Sequence, residues 1–204
     1  MNKFLGAAAL IIISATLASA AEKPADFNRY YAGMRVANSS LRLSTKYRDF
    51  WGDSAYDTRR LHPIGFGMLV GYRFNESMRM DVEIDYMAAK ARSGADRLSM
   101  NSNFVNFYYN LYNNRIVTPY IGLGMGIANV VVDSDSRGKA QSWFNFASQF
   151  ATGLEFVLND YLSMDLGARY RRFGSAKHEN GDWTDVSAWQ FSQAGCLLFP
   201  AVTP

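Results

Sequence analysis

The sequence has a single cysteine, Cys196, and only two histidines, His62 and His178, in 204 residues. A lone cysteine cannot form an internal disulfide, so no disulfide framework stabilises the fold. The two histidines leave little material for a catalytic or metal site, because neither lies in a serine- or asparagine-rich catalytic signature. We therefore expect no metal, no cofactor and no enzymatic activity.

The chain also lacks a strong charge bias and a long apolar run. Its formal net charge of +3 does not indicate a nucleic-acid partner. The one marked apolar run, at 5–17, is shorter than the about 20 residues of a membrane-spanning helix. It follows a lysine and ends at small residues, which predicts a signal peptide at 1–20, cleaved after Ala20, and a mature domain at 21–204.

What the sequence does have is alternation of polar and apolar side chains. Between residues 78 and 88 a charge occupies every second position, which indicates a β-strand because successive strand side chains point to opposite faces. Similar patterns predict strands at about 28–38, 63–74, 78–89, 102–112, 117–131, 142–157, 161–173 and 187–199. Most of these segments are longer than the five or six residues usual in globular sheets.

The connections between these strands alternate strictly in length. Short asparagine-containing turns follow residues 74, 112 and 158, whereas polar segments at 39–61, 90–101, 132–141 and 174–186 are longer. Turns at one end and loops at the other are typical of membrane barrels. The fold class expected is therefore all-β, an eight-stranded antiparallel up-and-down transmembrane β-barrel.

The two phases of each strand differ in a way that indicates which face meets lipid. One phase is bulky and apolar, and the other mixes charges of both signs with many glycines. Since a charge on the lipid face at mid-depth costs about 2–4 kcal/mol, the charged phase is expected to point inward. The predicted lumen charges are Arg35, Arg73, Arg79, Asp81, Glu83, Asp85, Glu155, Asp165, Arg169 and Arg171. An eight-stranded interior is only wide enough for its own side chains, so we expect a salt-bridged filling.

Segments 118–130 and 150–174 resemble the small outer-membrane barrels of the opacity-protein and surface-antigen type, with an OmpA-like transmembrane barrel. The matching residues are Pro119, Tyr120, Gly122, Gly124 and Gly126, then Gly153, Glu155 and Phe156, then Leu166, Gly167, Arg169 and Tyr170. The resemblance implies an eight-stranded barrel in the outer membrane of a Gram-negative cell, with surface-exposed loops.

The expected function is that of a non-enzymatic surface protein with a structural, adhesion or host-interaction role. The contact surface predicted for it is the loop 39–61, through Arg42, Lys46, Arg48, Trp51, Arg59 and Arg60. The expected partners are outer-membrane lipid, lipopolysaccharide and a ligand on a host or environmental surface, and the expected state is a monomer. Two alternatives stay open: a small porin-like ion or solute channel, and a soluble periplasmic lipocalin-like binding protein.

Overall fold

The computed structural model describes residues 29–48, 54–90, 96–111, 117–134, 138–159, 161–177 and 183–200. The predicted signal peptide lies outside these residues. Within them the regular structure is entirely β, and no helix has the length and apolarity needed to cross a membrane. The strands are β1 (Arg29–Arg48), β2 (Ser54–Leu61), β3 (Ile64–Arg73), β4 (Met78–Lys90), β5 (Asp96–Asn110), β6 (Val117–Ser134), β7 (Gly138–Asn159), β8 (Leu162–Lys177) and β9 (Trp183–Pro200).

These segments form a closed antiparallel barrel of eight strands, as predicted. Consecutive strands pair from β3 to β9, and β9 pairs with β1 to close the sheet. The segments β2 and β3 together occupy one position: β1 pairs with β3 along its first half and with β2 along its second half. The break between them falls at His62 and Pro63, where proline has no amide hydrogen for the sheet.

The stagger of the sheet follows from its register. Crossing the paired strands from Ser40 leads back to β1 at Tyr30, ten residues away, by way of Trp189, Tyr170, Phe150, Leu123, Phe107, Met80 and Tyr72. At a rise of about 3.3 Å and a strand spacing of about 4.8 Å, this stagger gives a tilt of about 40°. Each residue then advances about 2.5 Å along the barrel axis.

The strands run further at the extracellular end than the sequence predicts. The interpretation of 39–61 as a loop is wrong for most of its length, because β1 continues to Arg48 and β2 begins at Ser54. Likewise β5 begins at Asp96, and β6 and β7 leave only residues 135–137 between them. These extensions lie beyond the part of the barrel whose outward residues are apolar, and their own outward residues are polar. The alternation of apolar and polar residues that predicts a membrane strand is therefore missing from them.

The opposite end has short turns, as expected. Asn75 accepts hydrogen bonds from the backbone amides of Ser77 (2.9 Å) and Met78 (2.8 Å), which closes the turn between β3 and β4. Asn159 accepts one from the amide of Tyr161 at 2.9 Å in the same way. An asparagine side chain that replaces a backbone acceptor stabilises such turns. The third predicted turn, at 113–115, lies outside the described residues.

Candidate functional site

All ten charged residues predicted for the lumen point into the barrel and are buried. They comprise five arginines and five carboxylates, so their formal charges cancel. The outward positions beside them carry exposed apolar side chains, for example Met34 and Val36 on either side of Arg35. Burying charges is costly unless they are paired, so the contacts among them decide whether this interior is stable.

Glu83 on β4 is the centre of the upper ion-pair cluster and has no exposed surface. Its carboxylate accepts hydrogen bonds from Arg169 at 2.7 Å and Arg171 at 3.0 Å, and it also forms a salt bridge with Arg35. Arg171 also contacts Asp85 at 2.5 Å. These residues come from β1, β4 and β8, so the cluster connects opposite walls of the barrel.

A second cluster lies toward the turn end of the interior. Arg79 on β4 donates to Asp165 at 3.0 Å and lies 3.8 Å from Glu155. Glu155 also pairs with Arg73 on β3. The guanidinium of Arg79 lies over the ring of Tyr120, 4.8 Å from its centroid, which adds a cation–π contact.

Neutral polar side chains extend both clusters, and the sequence reasoning missed them. Asn106 donates to Asp81 and accepts from Gln149, both at 2.8 Å, and Gln149 accepts from Arg171. Tyr120 donates to Asp165 at 2.7 Å. The signal was available, since these residues occupy the same inward phase of their strands as the charges.

The glycines of the inward phase provide room for these side chains. At Gly167 a Cβ would lie 2.4 Å from the hydroxyl oxygen of Tyr120, and at Gly153 it would lie 2.6 Å from the same atom. Tyr120 therefore reaches Asp165 only because two neighbouring positions of β7 and β8 have no side chain.

Above the ionic region the interior becomes apolar. Phe104 marks the boundary, because Arg171 lies 4.6 Å from its ring centroid and Phe173 packs edge-on at 6.4 Å. The cluster above it, here called the apolar plug, comprises Leu41, Leu43, Leu61, Met87, Leu98, Met100, Phe104, Ala128, Val130, Ala147, Phe173, Val186 and Ala188. These buried side chains separate the charged interior from the extracellular side.

The outer wall at this level carries an arginine row. Arg42 and Arg60 are exposed and directly opposite each other on β1 and β2. Arg172 on β8 is exposed and reaches the same row through Ser187 of β9, which pairs with both Arg172 and Arg42. The sequence pattern alone does not place Arg172 on this surface, because a charge on the apolar phase there indicates the end of a strand.

The predicted contact residues thus lie largely on strands, which corrects their assignment to a loop. Arg42, Lys46 and Arg48 belong to β1, and Arg59 and Arg60 belong to β2. Exposed Lys46 lies four residues above Arg42 on the same outward face. Trp51 lies outside the described residues.

The described residues hold no group of three or more histidine, cysteine or carboxylate side chains suited to a metal ion. His62 is exposed at the break between β2 and β3. The thiol of Cys196 points inward from β9 and is buried.

The family model for the outer membrane protein β-barrel domain matches residues 5–194. Outer membrane protein PagN of Salmonella typhimurium is 24% identical over 215 residues, which cover 89% of this chain and 90% of PagN. An uncharacterised protein of Brucella abortus is 30% identical over 145 residues, which cover 52% of this chain. The match covers 50% of the length of that relative, so the chain spans about half of it.

The fold is also similar to that of Neisserial surface protein A. Its crystal structure superposes with a TM-score of 0.60 at 17% identity, covering 83% of this chain and 97% of the neisserial chain. At this identity the likeness concerns the fold alone, and it agrees with the barrel described above.

Proposed function

The chain belongs to the outer membrane protein β-barrel family and lies in the outer membrane among lipid and lipopolysaccharide, and on this premise we propose that it is a non-enzymatic surface protein that binds anionic saccharides. This location excludes the soluble lipocalin-like alternative. The binding surface is the arginine row of Arg42, Arg60 and Arg172, with Lys46 above it. Such binding would serve adhesion to a host or environmental surface, or attachment to the lipopolysaccharide that surrounds the barrel.

The observation that carries this proposal is the direct pairing of Arg42 with Arg60. Like charges directly opposite in an antiparallel pair are destabilising, and a bound anion would offset the repulsion between these two arginines. Neither guanidinium has an ion-pair partner among the side chains that the structure describes. Arg172 lies two strands from Arg42, or about 10 Å, which suits several anionic groups on one saccharide.

The opposite wall supports this choice by contrast. At the same end of the barrel, Arg97 on β5 is in register with Lys90 on β4 and with Asp133 on β6, so one of its two neighbours is acidic. None of the register partners of Arg42, Arg60 and Arg172 is acidic. Guanidinium groups bind phosphate, sulfate and carboxylate with two parallel hydrogen bonds, which makes unpaired arginines the better ligands. The three arginines of the row, which have no acidic residue in register, lie on β1, β2 and β8.

The interior supports a role without catalysis or conduction. Glu83, Asp85, Glu155 and Asp165 each contact arginine, and the apolar plug lies between them and the extracellular side. A substrate would have no route to these carboxylates from the extracellular side, and an ion crossing the barrel would have to displace both the ion pairs and the plug. The porin-like alternative is for these reasons disfavoured.

The test replaces the three arginines together, as Arg42→Gln, Arg60→Gln and Arg172→Gln, in protein refolded into lipid nanodiscs. We expect binding to a sulfated polysaccharide and to lipopolysaccharide, measured separately, to fall at least tenfold. The matched control is Arg97→Gln, which removes the same charge from a position in register with Asp133 and should change binding less than twofold. Unchanged binding of both ligands by the triple variant would contradict the proposal.

The two ligands distinguish the source of the anion. Loss of lipopolysaccharide binding alone would assign the row to the surrounding membrane, whereas loss of soluble polysaccharide binding alone would assign it to adhesion. In either case planar-bilayer recordings of the parent protein should show no steady conductance.

A further inference from the structure

The lipid-facing surface of β9 has an irregularity at the centre of the membrane. The outward residues along this strand are, in order, Trp189, Phe191, Gln193, Gly195, Leu197 and Phe199. The two terminal aromatics are ten residues apart, which corresponds to about 25 Å along the axis, the height of the apolar band of such barrels. The two central outward positions of this band are Gln193, which is polar, and Gly195, which has no side chain.

Gln193 is surrounded by groups that cannot satisfy its amide. Its register neighbours are Val36 on β1 and Leu166 on β8, both aliphatic. No hydrogen bond of its side chain to the described residues is present. Asn38 and Asn103 also point outward, but they lie near the edge of the apolar band. Asn38 is one outward position deeper than the residue in register with Trp189, and Asn103 is one outward position deeper than the residue in register with Tyr86, so headgroups are within reach of both. A polar side chain at mid-depth is costly and marks a functional site.

Gly195 differs from the other barrel glycines whose surroundings the structure describes. A Cβ at Gly33, Gly67 or Gly167 would lie less than 3 Å from another atom, whereas a Cβ at Gly195 would meet nothing within 4 Å. Packing within the chain therefore does not require glycine here. Glycine in a strand interior weakens it, and close approach of another backbone is one physical reason to retain it.

A depression in the outer wall lies next to these two residues. It has a volume of about 730 Å³ and is lined on β7 and β8 mainly by Thr152, Leu154, Leu166 and Ala168. Its edge is formed by Phe191 and Gln193 of β9. On the other side of β9, Met34 and Val36 of β1 are prominently exposed.

We propose that this face, formed by β8, β9 and β1, is the interface of a homodimer within the membrane, with Gln193 paired to Gln193 of a second copy. Two copies inserted in the same direction are related by a twofold axis along the membrane normal, which places each residue opposite its equivalent at the same depth. An amide carries both donors and an acceptor, so two glutamines satisfy each other.

The shape of the surface agrees with the same axis. A twofold axis near Gln193 sets β1 of one copy against β8 of the other, so Met34 and Val36 face the depression over Ala168. A lipid acyl chain could fill the depression, but it has no group to bond the Gln193 amide. The glycine at 195 lets the two backbones approach closely, as small residues do between membrane helices.

The experiment places a cysteine at the interface in a Cys196→Ser background, as Gly195→Cys, which leaves Gln193 in place. Oxidation in native outer membranes should yield a disulfide-linked dimer. The control is Leu123→Cys on β6, where the side chain is 66% exposed. This control lies at a similar depth in the membrane. The register leads from Trp189 across three strands to Leu123, and because of the stagger Leu123 lies about four residues deeper than Trp189, at the depth of Gln193.

Two further variants separate specific pairing from collision. Adding Gln193→Leu should lower the yield of the Gly195→Cys dimer about three- to tenfold, because the interfacial hydrogen bonds are lost. Gly195→Phe, without any introduced cysteine, should leave heat-modifiable gel mobility unchanged and shift the detergent-solubilised protein to a monomer in sedimentation. Equal cross-linking at residues 195 and 123, or no effect of Gln193→Leu, would overturn the proposal. So would a parent protein that sediments as a monomer with bound lipid.

Discussion

The membrane band of the barrel and its extracellular extension are built from the same strands with opposite polarity. On β1 the odd-numbered residues point inward throughout, yet they change from Arg35 in the band to Leu41 and Leu43 above it. The outward residues change in the other direction, from Val36 to Arg42. The backbone phase is constant, and only the solvent outside the barrel has changed.

This difference shows that the surroundings determine which face is apolar, and that the interior has two ways to be filled. Where lipid covers the outside, the interior is closed by compensated charges. Where water covers the outside, the hydrophobic effect favours burial of leucine, methionine and phenylalanine, as in a soluble barrel. Phe104 lies at the junction, with an arginine on one side and a phenylalanine on the other.

The largest effect on stability is expected from loss of the Glu83 carboxylate, which lies at the centre of the membrane band. Glu83→Gln leaves Arg35, Arg169 and Arg171 without their shared partner, and uncompensated buried charges cost about 3–5 kcal/mol. We expect that loss in urea unfolding in lipid vesicles. Glu76→Gln in the β3–β4 turn makes the same chemical change outside the interior and should cost less than about 1 kcal/mol. A similar cost for both would show that the ionic interior does not stabilise the band.

A charge on the outer surface tests the boundary between lipid and water. Leu123→Arg places a charge at mid-depth on the lipid face and should cost about 2–4 kcal/mol. Thr58→Arg makes an outward substitution on β2 above the band, where repulsion from Arg42 and Arg60 should limit the cost to less than about 1 kcal/mol. Both are measured by the same unfolding assay, and equal costs would mean that β2 is also covered by lipid.

The apolar plug is tested by one truncation made at two levels. Leu41→Ala removes a fully buried side chain and should cost about 2–3 kcal/mol through the lost contacts and the cavity. Leu123→Ala makes the same change on the lipid face, where lipid chains replace the lost contacts, and should cost less than about 1 kcal/mol. If the Leu41 variant unfolds like the parent protein, the plug does not contribute to stability.

How far the sequence predicts this molecule depends on the same contrast. Within the band, strict alternation of bulky apolar residues with charges and glycines predicts both the eight strands and the direction of Arg35, Glu83 and Arg169. Above the band the outward residues are serine, threonine, asparagine and arginine, so the pattern is typical of a loop and the extension of β1 and β2 is lost. Alternation survives there only in the inward leucines, which are too few to indicate a strand.

The partners of each charge cannot be predicted in the same way. Glu83 meets Arg169 and Arg171 from β8 because the ten-residue stagger brings these positions to one level across the interior. A single sequence carries no information on that stagger, which arises only when the sheet closes. The place of Arg172 beside Arg42 could not be predicted for the same reason, because it depends on the register of both β1 and β8 with β9.

The smallest effect expected concerns the arginine pair at the extracellular edge, and its sign depends on the ligand. In detergent without an anionic saccharide, Arg60→Gln removes the repulsion from Arg42 and should stabilise the protein by about 0.2–1 kcal/mol. With lipopolysaccharide or a sulfated polysaccharide at saturation, the parent protein gains binding free energy that the variant lacks, so the order of stability should reverse. Unfolding midpoints measured with and without the saccharide test both signs. An Arg60→Gln variant that is less stable in both conditions would show that the pair is compensated within the chain, and the basic wall would then differ from the Arg97–Asp133 wall in composition alone.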